Sequence, residues 1–167
     1  ERLWDDASGF YYDLAPDGTF VLHKSSSGLV PLIAGVVPPE RIPAVLGALR
    51  DENQFLSPAG IRSLSAQSPL YLPGRAGEGV NANWRGPVWV PINYLLIRAI
   101  EEMDASFAAE LRQRVVSSVE SDWQATGRLH EFFDGDTGEG LGADAYSSTA
   151  VVANMIAEAW PAPITEE

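Results

Sequence analysis

The chain has 167 residues and a formal net charge of −12, from 11 Lys and Arg against 23 Asp and Glu. Nucleic-acid binding depends on basic side chains that neutralise phosphates, so this balance argues against a nucleic-acid partner and favours a polar small molecule. There is no cysteine and there are only two histidines, which excludes disulfides and thiolate zinc sites and argues against a His-rich metal site. We expect neither a metal nor another cofactor.

No apolar run approaches the roughly 18 residues that span a bilayer, and the first ten residues, ERLWDDASGF, lack the pattern of a signal peptide. The sequence therefore predicts no membrane segment, and we expect a cytoplasmic location. The length suits one domain over residues 1–167. Because the chain begins on a charged stretch without Met, we expect a fragment of a longer protein.

The first fifty residues predict two elements. ERLWDDASGFYYDLAPDGTFVLHKS predicts a helix end and then a hairpin, with FYY and FVL as arms and a turn at Pro16, Asp17 and Gly18. After the short apolar segment LVPLIAG, the stretch ERIPAVLGALRDE has apolar residues at helical spacing and predicts an amphipathic helix: Ile42, Val45, Leu46 and Leu49.

The rest of the chain predicts helices separated by functional loops. Residues 53–83 are rich in Ser, Pro and Gly and predict a long excursion. PINYLLIRAIEEM and ASFAAELRQRVVSSVESDWQAT then predict a helical hairpin, whose second helix carries an apolar face: Phe107, Leu111, Val115, Val119 and Trp123. DAYSSTAVVANMIAEAW predicts another helix with Asp144 as its N-cap, and PAPITEE a frayed tail.

One segment, NANWRGPVWVPINYLL, concentrates residues that bind sugars: Trp84, Arg85, Trp89 and Asn93. Indole faces stack on the C–H faces of sugar rings, and Arg and Asn side chains orient hydroxyl groups. The sequence alone leaves open a second interpretation, in which the tryptophans belong to the core and Pro87 and Pro91 only start the helix.

A second segment, HEFFDGDTGEGLGAD, combines four glycines with five acids: Glu131, Asp134, Asp136, Glu139 and Asp144. It has no P-loop lysine, and it fails as an EF-hand because the twelfth residue from Asp134 is Ala145, where calcium needs a Glu. Glu131 differs from the other acids in lying between His130 and Phe132. It is the candidate general base, although a solvated surface carboxylate remains the other interpretation.

Together these two segments resemble glycoside hydrolase family 63, the processing α-glucosidase and glucosylglycerate or mannosylglycerate hydrolase group. NWRGPVWVPINYLL is similar to the family's Trp-Arg-Gly-Pro-x-Trp-x-x-x-Asn-Tyr pattern, and HEFFDGDTGEGLGAD to its Glu-aromatic-aromatic-Asp-x-x-Thr-Gly-x-Gly block. Weaker matches are ERLWDDASGFYYD and SLSAQSPLY. The resemblance implies a mainly α fold: a partial (α/α)6 barrel of antiparallel helical hairpins with one or two small β-hairpins, forming the C-terminal half of the catalytic barrel.

The resemblance also implies an activity, the inverting hydrolysis of an α-glycosidic bond in a small glucoside or mannoside, either glucosylglycerate-like or an oligosaccharide. Glu131 would be the catalytic base. The sugar pocket would be lined by Trp84, Arg85, Trp89, Asn93 and Tyr146.

Two departures from the family pattern limit this expectation. The family's general acid, an Asp in a Met-Asp-Asn-Ser-Pro motif, has no counterpart here, since Asp5 and Asp6 stand in another context. Ser147 and Ser148 also stand where the family has a Trp. We therefore expect the acid to come from an upstream segment, and the chain alone to be inactive. The alternative is a non-catalytic carbohydrate-binding or scaffold fragment. The expected partners of the chain are a small carbohydrate and either the missing N-terminal half or a second copy.

Overall fold

The computed structural model describes residues 2–74 and 82–159, which are mainly helical, as the sequence predicts. The helices are α1 (Val30–Ile33), α2 (Ile42–Arg50), α3 (Val90–Glu101), α4 (Ala105–Thr126) and α5 (Val152–Ala159). Short 3-10 helices at Ser26–Leu29 and Ser147–Val151 lead into α1 and α5. Among the described residues, no helix is long and apolar enough to cross a membrane.

Short antiparallel strand pairs precede the first helix or lie between later helices. They are β1 (Trp4–Asp5) with β2 (Phe10–Tyr11), β3 (Asp13–Leu14) with β4 (Phe20–Val21), β5 (Leu56–Ser57) with β6 (Gly60–Ile61), and β7 (Phe132–Phe133) with β8 (Gly140–Leu141). Each strand has two residues, too few for an alternating pattern. The sequence therefore predicts fewer hairpins than the described residues contain.

The ends of the helices follow from single residues. Pro31, Pro43 and Pro91 lie in the first turns of α1, α2 and α3, where the missing N–H group costs no intrahelical hydrogen bond. Asp104 caps α4 by accepting a hydrogen bond from the Phe107 amide at 3.0 Å. The same helix ends at Gly127, whose φ of 68° is the left-handed conformation that glycine adopts without strain.

The core lies where α3 packs against α4, which confirms the predicted helical hairpin. Helix α4 buries the predicted apolar face except at its last member: Phe107, Leu111, Val115 and Val119 are buried, whereas Trp123 is 51% exposed. Helix α3 turns its buried side, Leu96, Ile97 and Ile100, to the same core. These contacts set the positions of the start of α3 and the end of α4. The loops of the candidate site extend from these two helix ends.

The predicted helix end at the N-terminus is wrong over the described residues. Trp4 pairs with Tyr11 in β1 and β2, and the two rings meet edge to face with centroids 4.8 Å apart. FYY is therefore not an arm of the predicted hairpin. The turn at Pro16, Asp17 and Gly18 joins β3 to β4. Next to this turn, Thr19 donates its backbone N–H to the Asp17 carboxylate at 3.0 Å.

The predicted N-cap role of Asp144 is also wrong. The 3-10 helix before α5 begins after Tyr146 and has no side-chain cap. Asp144 instead forms an ion pair with Arg128, the second residue after the end of α4. The predicted tail PAPITEE and residues 75–81 of the predicted excursion lie outside the described residues.

Candidate functional site

The two segments that the sequence predicts to bind a sugar lie side by side in the structure. Val88 and Phe133 form an antiparallel bridge, in which the Val88 N–H donates to the Phe133 carbonyl at 2.8 Å and the Phe133 N–H donates back at 2.9 Å. Val88 lies just before α3, and Phe133 belongs to β7. The bridge places the Trp-Arg-Gly-Pro segment beside the strand that follows Glu131.

Trp89 fills the space between these two segments. Its ring centroid lies 5.3 Å from that of Phe132, and it meets Tyr146 edge to face at 6.4 Å. The indole N–H donates to the backbone carbonyl of Asn83 at 3.0 Å, and the residue is only 7% exposed. Trp89 therefore holds the site together, as the core interpretation expects, and presents little of its own surface.

Trp84 is the exposed aromatic surface of the site. It is 49% exposed and is stacked on Trp89, with ring centroids 4.2 Å apart and an angle of 10° between the planes. The preceding Asn83 has a φ of 48°, the left-handed region that non-glycine residues seldom adopt. Because one face of Trp84 rests on Trp89, the other face is the one on which a sugar ring can stack.

Glu131 lies between the end of α4 and β7 and is half-buried. Its Oε2 accepts a hydrogen bond from the backbone N–H of Ala143 at 3.2 Å. A Cβ on Gly142, whose φ is +79°, would lie 2.7 Å from the same oxygen. The carboxylate therefore rests against the backbone that follows β8, at a place where only glycine leaves room for it.

Asn93 is bonded to the backbone of two neighbouring elements. It is 1% exposed, and both polar atoms of its amide are engaged: Oδ1 accepts from the Ile61 N–H at 2.7 Å, and Nδ2 donates to the carbonyls of Ile61 and Trp89, each at 3.0 Å. Both N–H donors of the amide are thereby used, and burial leaves almost none of the side chain accessible. Asn93 ties β6 to the first turn of α3.

Arg85 and Tyr146 lie at the edges of the site. Arg85 is exposed, and its Nε donates to the Leu70 carbonyl at 2.9 Å. Tyr146 is half-buried beside Trp89, and its backbone N–H donates to the Leu129 carbonyl at 2.8 Å. Both stay candidates for contact with a ligand, because each has polar atoms that these bonds leave available.

The acidic loop after β7 is a tight turn. One oxygen of Asp134 accepts from the backbone N–H groups of Asp136 and Thr137, at 2.8 and 2.9 Å. These bonds hold the Asp134 carboxylate against the backbone of its own loop, and Asp side chains commonly stabilise turns in this way. Within residues 2–74 and 82–159, no group of three or more His, Asp or Glu side chains is placed to hold a metal ion.

Arg62, a residue for which the sequence predicts no role, fastens the loops around the site. It is 7% exposed and lies just after β6. Its guanidinium donates to the backbone carbonyls of Glu52 at 2.9 Å and Gly135 at 3.0 Å, which lie on two loops, and to that of Leu56 in β5. Arg has five N–H donors in a fixed plane, which suits a buried junction of several carbonyl groups.

Tyr71 connects this junction to the predicted excursion. Its hydroxyl donates to Asp136 at 2.7 Å and accepts from Nε of Arg62 at 3.0 Å. Burial, with the neighbouring Asp136 carboxylate, raises the pKa of the Tyr71 hydroxyl well above its usual value of 10.0. The Tyr71 hydroxyl is thus a permanent hydrogen-bond donor that holds the excursion against the acidic loop.

One signal for Arg62 is present in the sequence, although spacing rules do not use it. An Arg stands in GIRSLS, a segment without any other charge, between Gly60 and Ser63. Charged residues are rarely buried unless they are paired, so a lone charge in such a segment marks either a solvated loop or a buried junction. Only the contacts distinguish these two cases.

A known family matches most of the chain. The family described as the mannosylglycerate hydrolase MGH1-like glycoside hydrolase domain matches residues 1–149. A probable mannosyl-oligosaccharide glucosidase of Schizosaccharomyces pombe is 32% identical over 176 residues, which cover 95% of this chain and 21% of that protein. The mannosylglycerate hydrolase of Thermus thermophilus is 32% identical over 161 residues, covering 92% of this chain and 34% of that protein.

A solved structure supports the same relationship. The crystal structure of a GH63 mannosylglycerate hydrolase from Thermus thermophilus in complex with glucose superposes with a TM-score of 0.73 at 26% identity, over 93% of this chain and 36% of that one. This likeness confirms the predicted fold class. The chain spans about a fifth to a third of the length of the relatives that it matches.

Proposed function

Because the chain belongs to the mannosylglycerate hydrolase MGH1-like glycoside hydrolase family, we propose that it is the C-terminal part of a catalytic helical barrel that hydrolyses an α-glycosidic bond. The observation that carries this proposal is the bridge between Val88 and Phe133, which brings the Trp84 surface and the Glu131 segment into one site. A stacking surface can bind a sugar ring, and a carboxylate beside it can supply one of the two acidic groups that glycoside hydrolysis requires.

In the proposed mechanism Glu131 is the general base of an inverting reaction. Its half-buried carboxylate takes a proton from a water molecule, which attacks the anomeric carbon on the face opposite the leaving group. The hydrogen bond from Ala143 holds Oε2 in a fixed direction. A second carboxylic acid must protonate the leaving oxygen, at a distance of about 6.5–9.5 Å from the base.

We assign that general acid to a segment of the complete polypeptide upstream of Glu1. The Met-Asp-Asn-Ser-Pro motif that carries the acid in related enzymes does not occur in these 167 residues. The short length relative to the matched proteins agrees with this assignment. Hydrolysis is then an activity of the complete polypeptide, to which this chain contributes the base and part of the sugar pocket.

The proposed substrate is a small glucoside or mannoside, with glycerate conjugates as the first compounds to test. The names of the matched relatives, a mannosylglycerate hydrolase and a glucosidase, support this class. In this chain the exposed face of Trp84 accepts the apolar face of one sugar ring, and Arg85 and Tyr146 supply hydrogen bonds to its hydroxyl groups.

Glu131→Gln in the complete polypeptide tests the assignment of the base. We expect kcat to fall by about 10²–10⁴-fold with little change in KM, because the amide keeps the shape of the carboxylate but cannot accept the proton. Glu139→Gln makes the same change in the same loop and serves as the control.

Proton NMR of the first product tests inversion, since an α-linked substrate should release the β-anomer. Near-normal turnover by Glu131→Gln, or release of the α-anomer, contradicts the proposed mechanism.

The second candidate function is carbohydrate binding without hydrolysis, which the absence of the acid motif favours. Titration with glucose, mannose and their glycerate conjugates, followed by tryptophan fluorescence, distinguishes the two functions. A complete polypeptide that binds a conjugate and releases no free sugar during long incubation is a binding protein. Release of sugar that depends on Glu131 identifies the hydrolase.

A further inference from the structure

A buried acid–imidazole pair lies directly beside Glu131. Nδ1 of His130 and Oδ2 of Asp122 are 2.6 Å apart, and little of either side chain is exposed. Asp122 belongs to the last turns of α4, whereas His130 is the residue before Glu131. Because a carboxylate only accepts hydrogen bonds, the imidazole donates from Nδ1. The ring of His130 is thereby fixed to α4.

A second element fixes the backbone of His130. The hydroxyl of Thr149 donates to the His130 carbonyl at 2.7 Å, and Thr149 is fully buried. Thr149 lies in the 3-10 helix that leads into α5. The carbonyl of His130 belongs to the peptide group that begins Glu131, so this bond holds the peptide unit from which the Glu131 side chain extends.

The hairpin of β7 and β8 packs onto the same pair without an intervening side chain. A Cβ on Gly140 of β8 would lie 2.5 Å from each Asp122 carboxylate oxygen and 2.5 Å from Nδ1 of His130. Contacts this close leave room only for glycine. The backbone from Gly140 leads to Ala143, whose N–H donates to Glu131. Gly140 therefore connects the Asp122–His130 pair to the backbone segment that binds Glu131.

We propose that Asp122, His130 and Thr149 are positioning residues for Glu131: they fix the direction of its carboxylate and do not touch the substrate. This inference rests on the proposed role of Glu131 as the general base. A base must hold its water molecule in one direction, and a displacement of about 1 Å can lower the rate by about 10²-fold. Residues with this role affect the chemical step more than substrate binding.

Three substitutions in the complete polypeptide test this role. Asp122→Leu removes the acceptor, and we expect kcat to fall by about 10–100-fold with KM within about twofold of the wild type. Thr149→Val keeps the shape of the side chain and removes only the hydroxyl, so we expect about a tenfold fall in kcat. Asp122→Asn retains an acceptor oxygen for Nδ1, and it should restore most of the kcat that Asp122→Leu loses.

Glu101→Leu is the matched control. Glu101 lies on α3 and pairs with Arg112 of α4 at 3.1 Å, so its removal also breaks an ion pair, here one that joins two helices and does not involve the segments around Glu131. It should lower thermal stability without lowering kcat at a temperature well below the melting transition. A purely structural role for Asp122 predicts the same result for Asp122→Leu, and that result would overturn the inference.

Hydrogen–deuterium exchange gives a readout that is independent of turnover. The amide of Ala143 donates to Glu131, so we expect it to exchange about tenfold faster in Thr149→Val, while the amides of α3 keep their rates. Unchanged kcat in Thr149→Val overturns the inference, even when Asp122→Leu does not fold, and so does a fall in kcat without faster Ala143 exchange. Glu131→Gln separates the two proposals. Normal turnover in that variant refutes the base itself, whereas an inactive Glu131→Gln beside a fully active Thr149→Val refutes only the positioning role.

Discussion

Asn93 and Ile61 are joined by a pair of hydrogen bonds that imitates a strand pairing. The Ile61 N–H donates to Oδ1 of Asn93 at 2.7 Å, and Nδ2 of Asn93 donates to the Ile61 carbonyl at 3.0 Å. One side chain on α3 thus satisfies both backbone groups of a residue in β6. Gly60 allows this approach, since a Cβ at that position would lie 2.6 Å from Oδ1.

Asn93→Leu should therefore destabilise the protein rather than change its sugar affinity. The substitution leaves the N–H and carbonyl of Ile61 buried without partners, which costs about 2–4 kcal/mol in the free energy of unfolding. Urea denaturation measures this change. Gln113→Leu, which removes an exposed hydrogen bond to Ser117 on α4, is the control and should cost less than about 0.5 kcal/mol. Weaker sugar binding with unchanged stability contradicts the structural role of Asn93.

Arg62 stabilises the fold mainly through its hydrogen bonds to backbone carbonyls and less through its ion pair with Asp136. The two charged groups are 3.3 Å apart, but the Asp136 side chain is half-exposed, and such a pair contributes little. We expect Arg62→Lys to cost about 3 kcal/mol, because the lysine ammonium cannot reach the separate carbonyls of Glu52 and Gly135. Asp136→Asn should cost less than about 1 kcal/mol. Equal costs in urea denaturation would show that the ion pair is the main contribution.

Trp84 and Trp123 offer a matched test of the proposed sugar surface. Both indoles are about half exposed, at 49% and 51%, but only Trp84 is stacked on Trp89 near the Glu131 segment. We expect Trp84→Ala to weaken binding of the best sugar ligand by about tenfold, which corresponds to the loss of about 1.4 kcal/mol of stacking. Trp123→Ala should stay within twofold of the wild type in calorimetric titration. Equal weakening of sugar binding by the two variants would show that Trp84 is not the sugar-stacking surface.

The N-cap of α4 gives the protein a stability contribution that depends on pH. Hydrogen bonds from Ser106 and from the Phe107 amide, together with the Arg50 guanidinium, lower the pKa of Asp104 from its usual 3.8 to about 2. A carboxyl whose pKa is lower in the folded state stabilises that state above its unfolded pKa, and this contribution is lost as the pH falls through the folded pKa.

Asp104→Asn tests this dependence. The variant should be less stable than the wild type at neutral pH, and the difference between their urea midpoints should shrink as the pH falls from about 4 to about 2. Asp17→Asn, in the exposed turn between β3 and β4, provides a comparison at a carboxylate that caps no helix. A wild-type advantage that stays constant down to pH 2 would show that the ionised form of Asp104 does not stabilise the fold.

Apolar spacing was sufficient to predict the helices of the core, because α2, α3 and α4 each bury one continuous face. It failed at Trp123, which has the helical spacing of the buried face but is 51% exposed, and at Trp4, where a strand pairing between two-residue segments leaves no periodic signal. Asp144 has the residue type of an N-cap, but its partner is Arg128, which is distant in sequence. Local patterns cannot report a competing tertiary partner.

The sequence by itself determined the helical core, which rests on residue types at short spacing, and its resemblance to a known family singled out the two candidate segments and Glu131. Only the tertiary structure decided which contacts each of these residues makes. It placed Trp84 at the surface on Trp89, assigned Asn93 to β6, and revealed Arg62 and the pair of Asp122 and His130. The physical reason is that hydrogen-bond partners far apart in sequence are set by how the helices pack, and no local pattern carries that information.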